Sequence, residues 1–374
     1  MRGILILLAS LFFVYAFSPS IKDSIKSLDI DHMIANIRSD LQDVDFEEVK
    51  QFYGKINELA ADIQLAVEKL PQQDANRVPK AEKPSLTAPE AHIFSVHNIE
   101  IGDTQTEVEQ KLGKPKRATM NEYGVLWNTY HENYQNFFMV AYDQQQKVAG
   151  LYTNQDLISS TIGIKRGSSK QALRERLGEP LNKIQKGLVF YQLQEDRDFD
   201  LFKMDNSYIT VYYDKHENDI VSAIQIISLD LENRKSGMYG KSTPQLKEGF
   251  EGQLFDLTNA SRVIHGLSVL QWDDRIKETA REHSADMAAN NYFNHVNLEG
   301  QSPFDRMSED EIAFSYAGEN LAYGQFSAIY AHEGLMNSLG HRKNILKEEF
   351  ELLGVGVAFN TEMQPYFTEN FYSK

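Results

Sequence analysis

Two histidines and one glutamate carry the chemistry this sequence offers: His295 in "YFNHV", Glu319 in "SYAGENLAYG" and His341 in "LGHRKNIL". Neutral imidazoles and a carboxylate converging on one cleft suit a divalent ion such as zinc, with positions left open to water. The same three groups could instead hold one another by hydrogen bonds, Glu319 orienting an imidazole. Glu319 is the most telling of them. A carboxylate is costly to bury unpaired, yet this one sits in a run of small and apolar residues between Gly318 and Gly324. The run reads as a glycine-bounded turn that presents Glu319 to the histidines. His295 follows an aromatic pair at a helix end, and His341 begins a helix after Gly340.

Neighbouring polar residues read differently. His283 lies on the apolar stripe Ile276, Ala280, Met287 and is expected in the core. His332 and Glu333 are expected on a solvated face one turn from the cleft, with reach into the cleft as the alternative. Asn320, Arg306, Arg342 and Asn344 are expected to brace loops, and His265 to meet the dipole of a helix end. There is no His-Glu-x-x-His motif, no Gly-x-Ser-x-Gly elbow and no cysteine.

The elements that must position these groups are helices over Phe250–Leu267, Asp274–Asn291 and about Ser327–Leu339, then two closing strands, "LLGVGVAF" and "PYFTENFY". Helices that precede and interleave with strands predict an α-β-α layered domain over 250–374. The ordered motifs "VLQWDDRI", "HSADMAANNYFNHVNLEGQSPFDRM", "AGENLAYG", "NSLGHRKNIL" and "LGVGVAF" resemble the bacterial branch of the CAP superfamily, which groups cysteine-rich secretory proteins, antigen 5 and pathogenesis-related-1 proteins. The resemblance implies a cleft lined by two histidines and two acidic residues, matched here at His295, Glu319 and His341. The fourth position departs from that pattern: Leu335 stands where the animal and plant branch has tryptophan, and Ser338 where it has an acid.

Upstream, "IGDTQTEVEQKLGKP" (Ile101–Pro115) and "RGSSKQALRERLGEP" (Arg166–Pro180) repeat at an offset of 65, each a polar turn, a short amphipathic helix and a Leu-Gly-x-Pro stop. Alternating strands follow each, "FFMVAYD" and "VAGLYT", then "YITVYYD" and "VSAIQIIS". A duplicated α+β domain over 92–235 is expected, its aromatic residues Trp127, Tyr130, Tyr134, Phe137 and Phe138 forming sheet core. It resembles the domain found ahead of CAP domains in bacilli. Its histidines, His97, His131 and His216, are scattered. The proline-bearing 71–91 and the segment 236–249 read as linkers. Residues 18–70, apolar at helical spacing through Leu59, Ile63, Ala66 and Leu70, read as a helical stalk. Residues 1–17 hold an apolar run from Gly3 to Phe17, shorter than the about 20 residues a membrane span needs, and read as a signal peptide or signal anchor. The fold class expected is therefore α+β: a stalk, a tandem-repeat domain and a carboxy-terminal α-β-α sandwich.

The 374 residues carry a formal charge of -16. That argues against nucleic acid, for which no basic footprint exists, and confines membrane association to the first segment. Without cysteine there is no disulfide framework and no thiolate chemistry. An extracytoplasmic protein, secreted or tethered by its first segment, is expected, with an unnamed protein, peptide, lipid or cell-wall partner. The leading function is a non-enzymatic binding module whose His/Glu cleft takes a small ligand or weakly binds zinc through His295, His341 and Glu319. The alternatives are a metal-assisted hydrolase of peptidase or esterase type, with Glu319 as general base, and a structural wall- or spore-associated protein.

Overall fold

The computed structural model describes residues 80–374. The segments 1–17 and 18–70, and the first part of the linker 71–91, lie outside the described residues. Among the described residues no helix is long and apolar enough to cross a membrane. From Lys80 to Ala91 the chain has no helix or strand, yet it does not span a gap as a free linker would. The Glu100 carboxylate accepts from the amides of Glu90, Ala91 and His92 at 2.8–3.0 Å, and Asn136 Nδ2 donates to Glu82 O. Side chains of the following domain thus supply the hydrogen bonds that this stretch lacks.

That domain runs β1 (Phe94–Val96), α1 (Gln105–Leu112), β2 (Arg117–Met120), β3 (Leu126–Glu132), β4 (Gln135–Tyr142), β5 (Val148–Thr153), β6 (Ile158–Ser160), α2 (Lys170–Leu177), β7 (Lys183–Lys186), β8 (Val189–Gln192), β9 (Phe199–Met204), β10 (Ser207–Asp214), β11 (Ile220–Ser228) and α3 (Leu229–Arg234). Seven strands form an antiparallel sheet in the order β2-β3-β4-β5-β11-β10-β9, so β5 and β11 meet at its centre. Thr104 and Ser169 cap α1 and α2 with their side chains, and Gly113 and Gly178 end them at φ 77° and 81°, where a side chain would be strained. Val108 and Leu173 of these helices pack on one face of the sheet.

The other face is the larger finding. Trp127, Phe137, Tyr152 and Tyr212 share one continuous core with Phe250, Leu254 and Leu257 of the carboxy-terminal domain. The segment 236–249, expected as a linker, belongs to this contact. Met238 is buried, Thr243 caps a helix with Pro244 in its first turn, and α4 (Pro244–Ile264) begins well before Phe250. Gly249 sits so close to β2 that a Cβ there would stand 2.0 Å from Met120 O. A glycine that looks like a linker residue is what lets helix and strand touch.

After α4 come β12 (Gln271–Trp272), α5 (Asp274–Asn290), α6 (Pro303–Glu309), β13 (Tyr316–Tyr323), α7 (Ala328–Asn337), α8 (Leu339–Ile345), β14 (Leu352–Phe359) and β15 (Pro365–Ser373). The four-stranded sheet has the order β12-β14-β15-β13, which leaves β13 at an edge. Alternation along β14 sends Val355 and Val357 into the core shared with α4 and α7. Gly354 and Gly356 face α5, whose backbone comes within 2.1–2.3 Å of where their Cβ atoms would be. The layers are α-β-α, as the helix and strand pattern predicts.

Candidate functional site

The expected glycine-bounded turn around Glu319 is instead the middle of β13, paired antiparallel with β15 in the register Glu319↔Asn370. Gly318 is not a turn residue: a Cβ there would lie 2.9 Å from the Phe350 ring, so the glycine serves close packing within a strand. The strand explains the site. Successive side chains leave it on opposite faces, Glu319 toward α6 and the loop after α5, Asn320 toward α8.

On the first face Glu319 is buried and both its oxygens are engaged. Oε1 is 2.9 Å from His295 Nδ1 and Oε2 accepts from Arg306 Nη2 at 2.7 Å. The Arg306 guanidinium, itself buried, also donates to the backbone oxygens of His295 and Gln301. With Nδ1 donating to the carboxylate, the His295 ring leaves Nε2 as its free lone pair, and the side chain is 50% exposed. Phe293 and Val296, on either side of it in sequence, are themselves 49% and 43% exposed, and the Phe293 ring lies 5.9 Å from that of Tyr323.

On the second face, Asn320 Nδ2 donates to His341 O at 3.2 Å, and Asn344 of α8 donates to Asn320 Oδ1 and to Glu319 O. The His341 ring has no hydrogen-bond partner among the described residues. Partial burial, and then the nearby His295, hold its pKa below the ordinary imidazole range. The edge strand therefore sets His295 against Glu319 on one face and α8, with His341, against Asn320 on the other, and the two imidazoles are near enough for His295 to lower the His341 pKa. Among the described residues no three histidine, aspartate or glutamate side chains are gathered to hold a metal ion. Glu319 stands as the carboxylate that supports His295.

The other singled-out residues sort as follows. His283 is core, its Nε2 3.0 Å from Asn294 O, and burial lowers its pKa. Arg306, Asn320 and Asn344 brace the site. His265 Nδ1 meets Ser261 O at the end of α4. His332 and Glu333 are neither in the cleft nor on a solvated face. Both are buried where α7 meets the first domain's sheet, His332 Nε2 2.7 Å from Ser261 Oγ and Glu333 Oε1 accepting from Tyr152 Oη. Ser338 sits between α7 and α8 and makes no side-chain cap. Two residues of the site escaped sequence reasoning, Glu369 and Thr258. Glu369 is fully buried, accepts from Thr258 Oγ1 at 2.7 Å and from Asn320 Nδ2 at 3.1 Å, and burial raises its pKa to about 7. Its signal was present: it alternates with Phe367 and Phe371 on the inward face of a strand.

Comparison with known proteins bears on both domains. Residues 101–238 match the model of the CAP-associated N-terminal domain, and residues 255–371 that of the cysteine-rich secretory protein family. The uncharacterized membrane protein YlbC of Bacillus subtilis is 28% identical over 293 residues, 73% of this chain and 82% of that protein. The uncharacterized protein YkwD of the same organism is 40% identical over 133 residues, 36% of this chain and 51% of that protein. Among solved structures, an extracellular protein containing an SCP domain from Bacillus anthracis is 26% identical, with a TM-score of 0.65 over 79% of this chain and 100% of that one. A cysteine-rich secretory protein from Staphylococcus aureus shares the fold at 16% identity, with a TM-score of 0.58 over 73% of this chain and 91% of that one.

Proposed function

The chain is a bacterial CAP superfamily protein that carries a CAP-associated domain ahead of its CAP domain, and from that premise we propose that it is an extracytoplasmic, non-enzymatic binding module. The observation that carries this reading is the state of Glu319. The carboxylate is buried, and each oxygen already accepts a hydrogen bond, one from His295 and one from Arg306, which is the arrangement of a group that orients an imidazole. What the site presents instead is two imidazoles with open nitrogens beside half-exposed Phe293 and Val296. That suits a ligand with a polar group for the histidines and an apolar part for the rim, or a divalent ion held weakly by the imidazoles. The matched caps of α1 and α2 and the central pairing of β5 with β11 support the further reading of 92–235 as a duplicated unit. The likeness to an extracellular protein of Bacillus anthracis and to the membrane protein YlbC supports display outside the cytoplasm, free or tethered.

The test is a calorimetric zinc titration of the full chain beside His295→Ala and His341→Ala, with a peptide and ester library screened in parallel. Weak, reversible binding in the wild type, lost in both variants, is expected, with no turnover. Cleavage by the wild type that disappears in Glu319→Gln would replace the binding module with the hydrolase.

A further inference from the structure

His295 and His341 lie close enough to interact electrostatically, yet they are held by different means. His295 is fixed within the CAP domain, by Glu319 and Arg306. The helix that carries His341, α8, has seven residues and no side-chain cap at its start, and α7 before it has none either. A short helix without its own cap depends on outside contacts for its placement.

Some of those contacts come from within the CAP domain, where Asn320 donates to His341 O and Asn344 to Asn320 Oδ1 and Glu319 O; others come from the other domain. After β10 the chain makes a single 3-10 turn, Lys215–Glu217, capped by Asp214, whose Oδ1 accepts from the His216 amide at 2.9 Å. This turn grips the α7–α8 junction at two points. The side chain of Asn337, the last residue of α7, donates to Tyr213 O at 2.8 Å and accepts from the Lys215 amide at 2.9 Å, and the Asn337 backbone oxygen lies 3.2 Å from His216 Nε2. Arg342, directly after His341, pairs through Nη1 with Asp214 Oδ2 at 3.0 Å, with both side chains 12% exposed. His265 fixes the same guanidinium from within the CAP domain: its Nδ1 meets Ser261 O, which leaves Nε2 to accept from Arg342 Nη2 at 3.3 Å.

We propose that the Asp214–His216 turn of the CAP-associated domain is a positioning element for His341, acting beside the Asn320 and Asn344 contacts, so that the first domain helps set the spacing of the two imidazoles. This rests on the cleft being the functional site, and it gives the first domain a role there: anything that shifts the turn moves one imidazole and leaves the other in place. Asp214, Asn337 and Arg342 are positioning residues that touch no ligand.

The test measures the rate at which diethyl pyrocarbonate modifies each histidine of the full chain, read by mass spectrometry with no ligand present. Asp214→Ala and Asn337→Ala should change the His341 rate by about two- to tenfold and leave the His295 rate unaltered. Asp214→Glu should return the His341 rate toward the wild-type value. Tyr239→Phe removes a different interdomain hydrogen bond, to Gly324 O, and should move neither rate. An unchanged His341 rate in both alanine variants, or equal changes at His295 and His341, would overturn the proposal. Failure of zinc binding with a selective change at His341 would sink the cleft reading alone, so the two claims fail separately.

Discussion

Tyr152 Oη donates to Glu333 Oε1 at 2.6 Å, a hydrogen bond that joins the central sheet of the first domain to α7 of the second. Ser222 lies 3.5 Å from the other oxygen, and Arg166 and Asp214 are the nearest charges from the first domain. Burial, with a smaller push from Asp214, outweighs Tyr152, Ser222 and Arg166 and raises the Glu333 pKa to about 7. The folded protein therefore holds a proton that the unfolded chain, with an ordinary carboxyl near 4.5, gives up. The stability this group contributes is complete below about pH 4.5 and is lost as pH rises toward 7. Buried His332, pushed down to about 3, works in the opposite sense, losing stability as pH falls below about 6.5.

Because those trends oppose one another, the prediction is a difference between two proteins. Glu333→Gln mimics the protonated acid and should gain on the wild type by about 1–3 kcal/mol as pH rises from 5 to 8. Urea unfolding of both proteins across that range measures it. A gap that does not change with pH would mean the carboxyl is ionised in the folded state.

What the sequence makes legible follows from how local each signal is. Helix caps and stops are local, so Thr104, Ser169, Gly113 and Gly178 reveal α1 and α2 without help from the rest of the chain. His295, Glu319 and His341 are recognisable from motif order. Their arrangement is not, because Gly318 and Gly324 punctuate the run as a turn would, and only the Phe350 ring over Gly318 shows why a glycine belongs in the strand. His332 and Glu333 were misplaced for a different reason. A polar pair on a helix looks solvated until its neighbours are known, and no local pattern announces that Tyr152 of the first domain will meet Glu333 and Ser261 of α4 will meet His332. The linker reading of 236–249 failed in the same way, since glycines that suit a flexible segment also suit close packing.

That close packing is open to test at two glycines one turn apart. A Cβ at Gly249 would meet Met120 O at 2.0 Å, a backbone atom that cannot turn aside, whereas one at Gly252 would meet the Thr119 Cγ2 methyl at 3.3 Å. Gly249→Ala should cost about 3 kcal/mol or more, because α4 must move off β2. Gly252→Ala should stay within about 1 kcal/mol of the wild type, the better helix propensity of alanine offsetting slight crowding. Thermal unfolding separates them, and equal effects at the two sites would show that α4 does not seat on β2 as described.

The final prediction returns to Glu319, whose carboxylate is buried with one permanent cation beside it. Removing Arg306 leaves that charge with only His295 and no second donor. Breaking a buried pair from one side costs more than the pair contributes, because the remaining charge is stranded. Arg306→Ala should therefore destabilise the protein by about 3–5 kcal/mol, while Arg306→Ala combined with Glu319→Gln, which has no charge to strand, should recover part of that loss. Urea denaturation of the two single variants and the double variant completes the cycle. If the double variant is less stable than Arg306→Ala alone, Glu319 is held by solvent and not by its arginine, and the fixed orientation of His295 loses its physical basis.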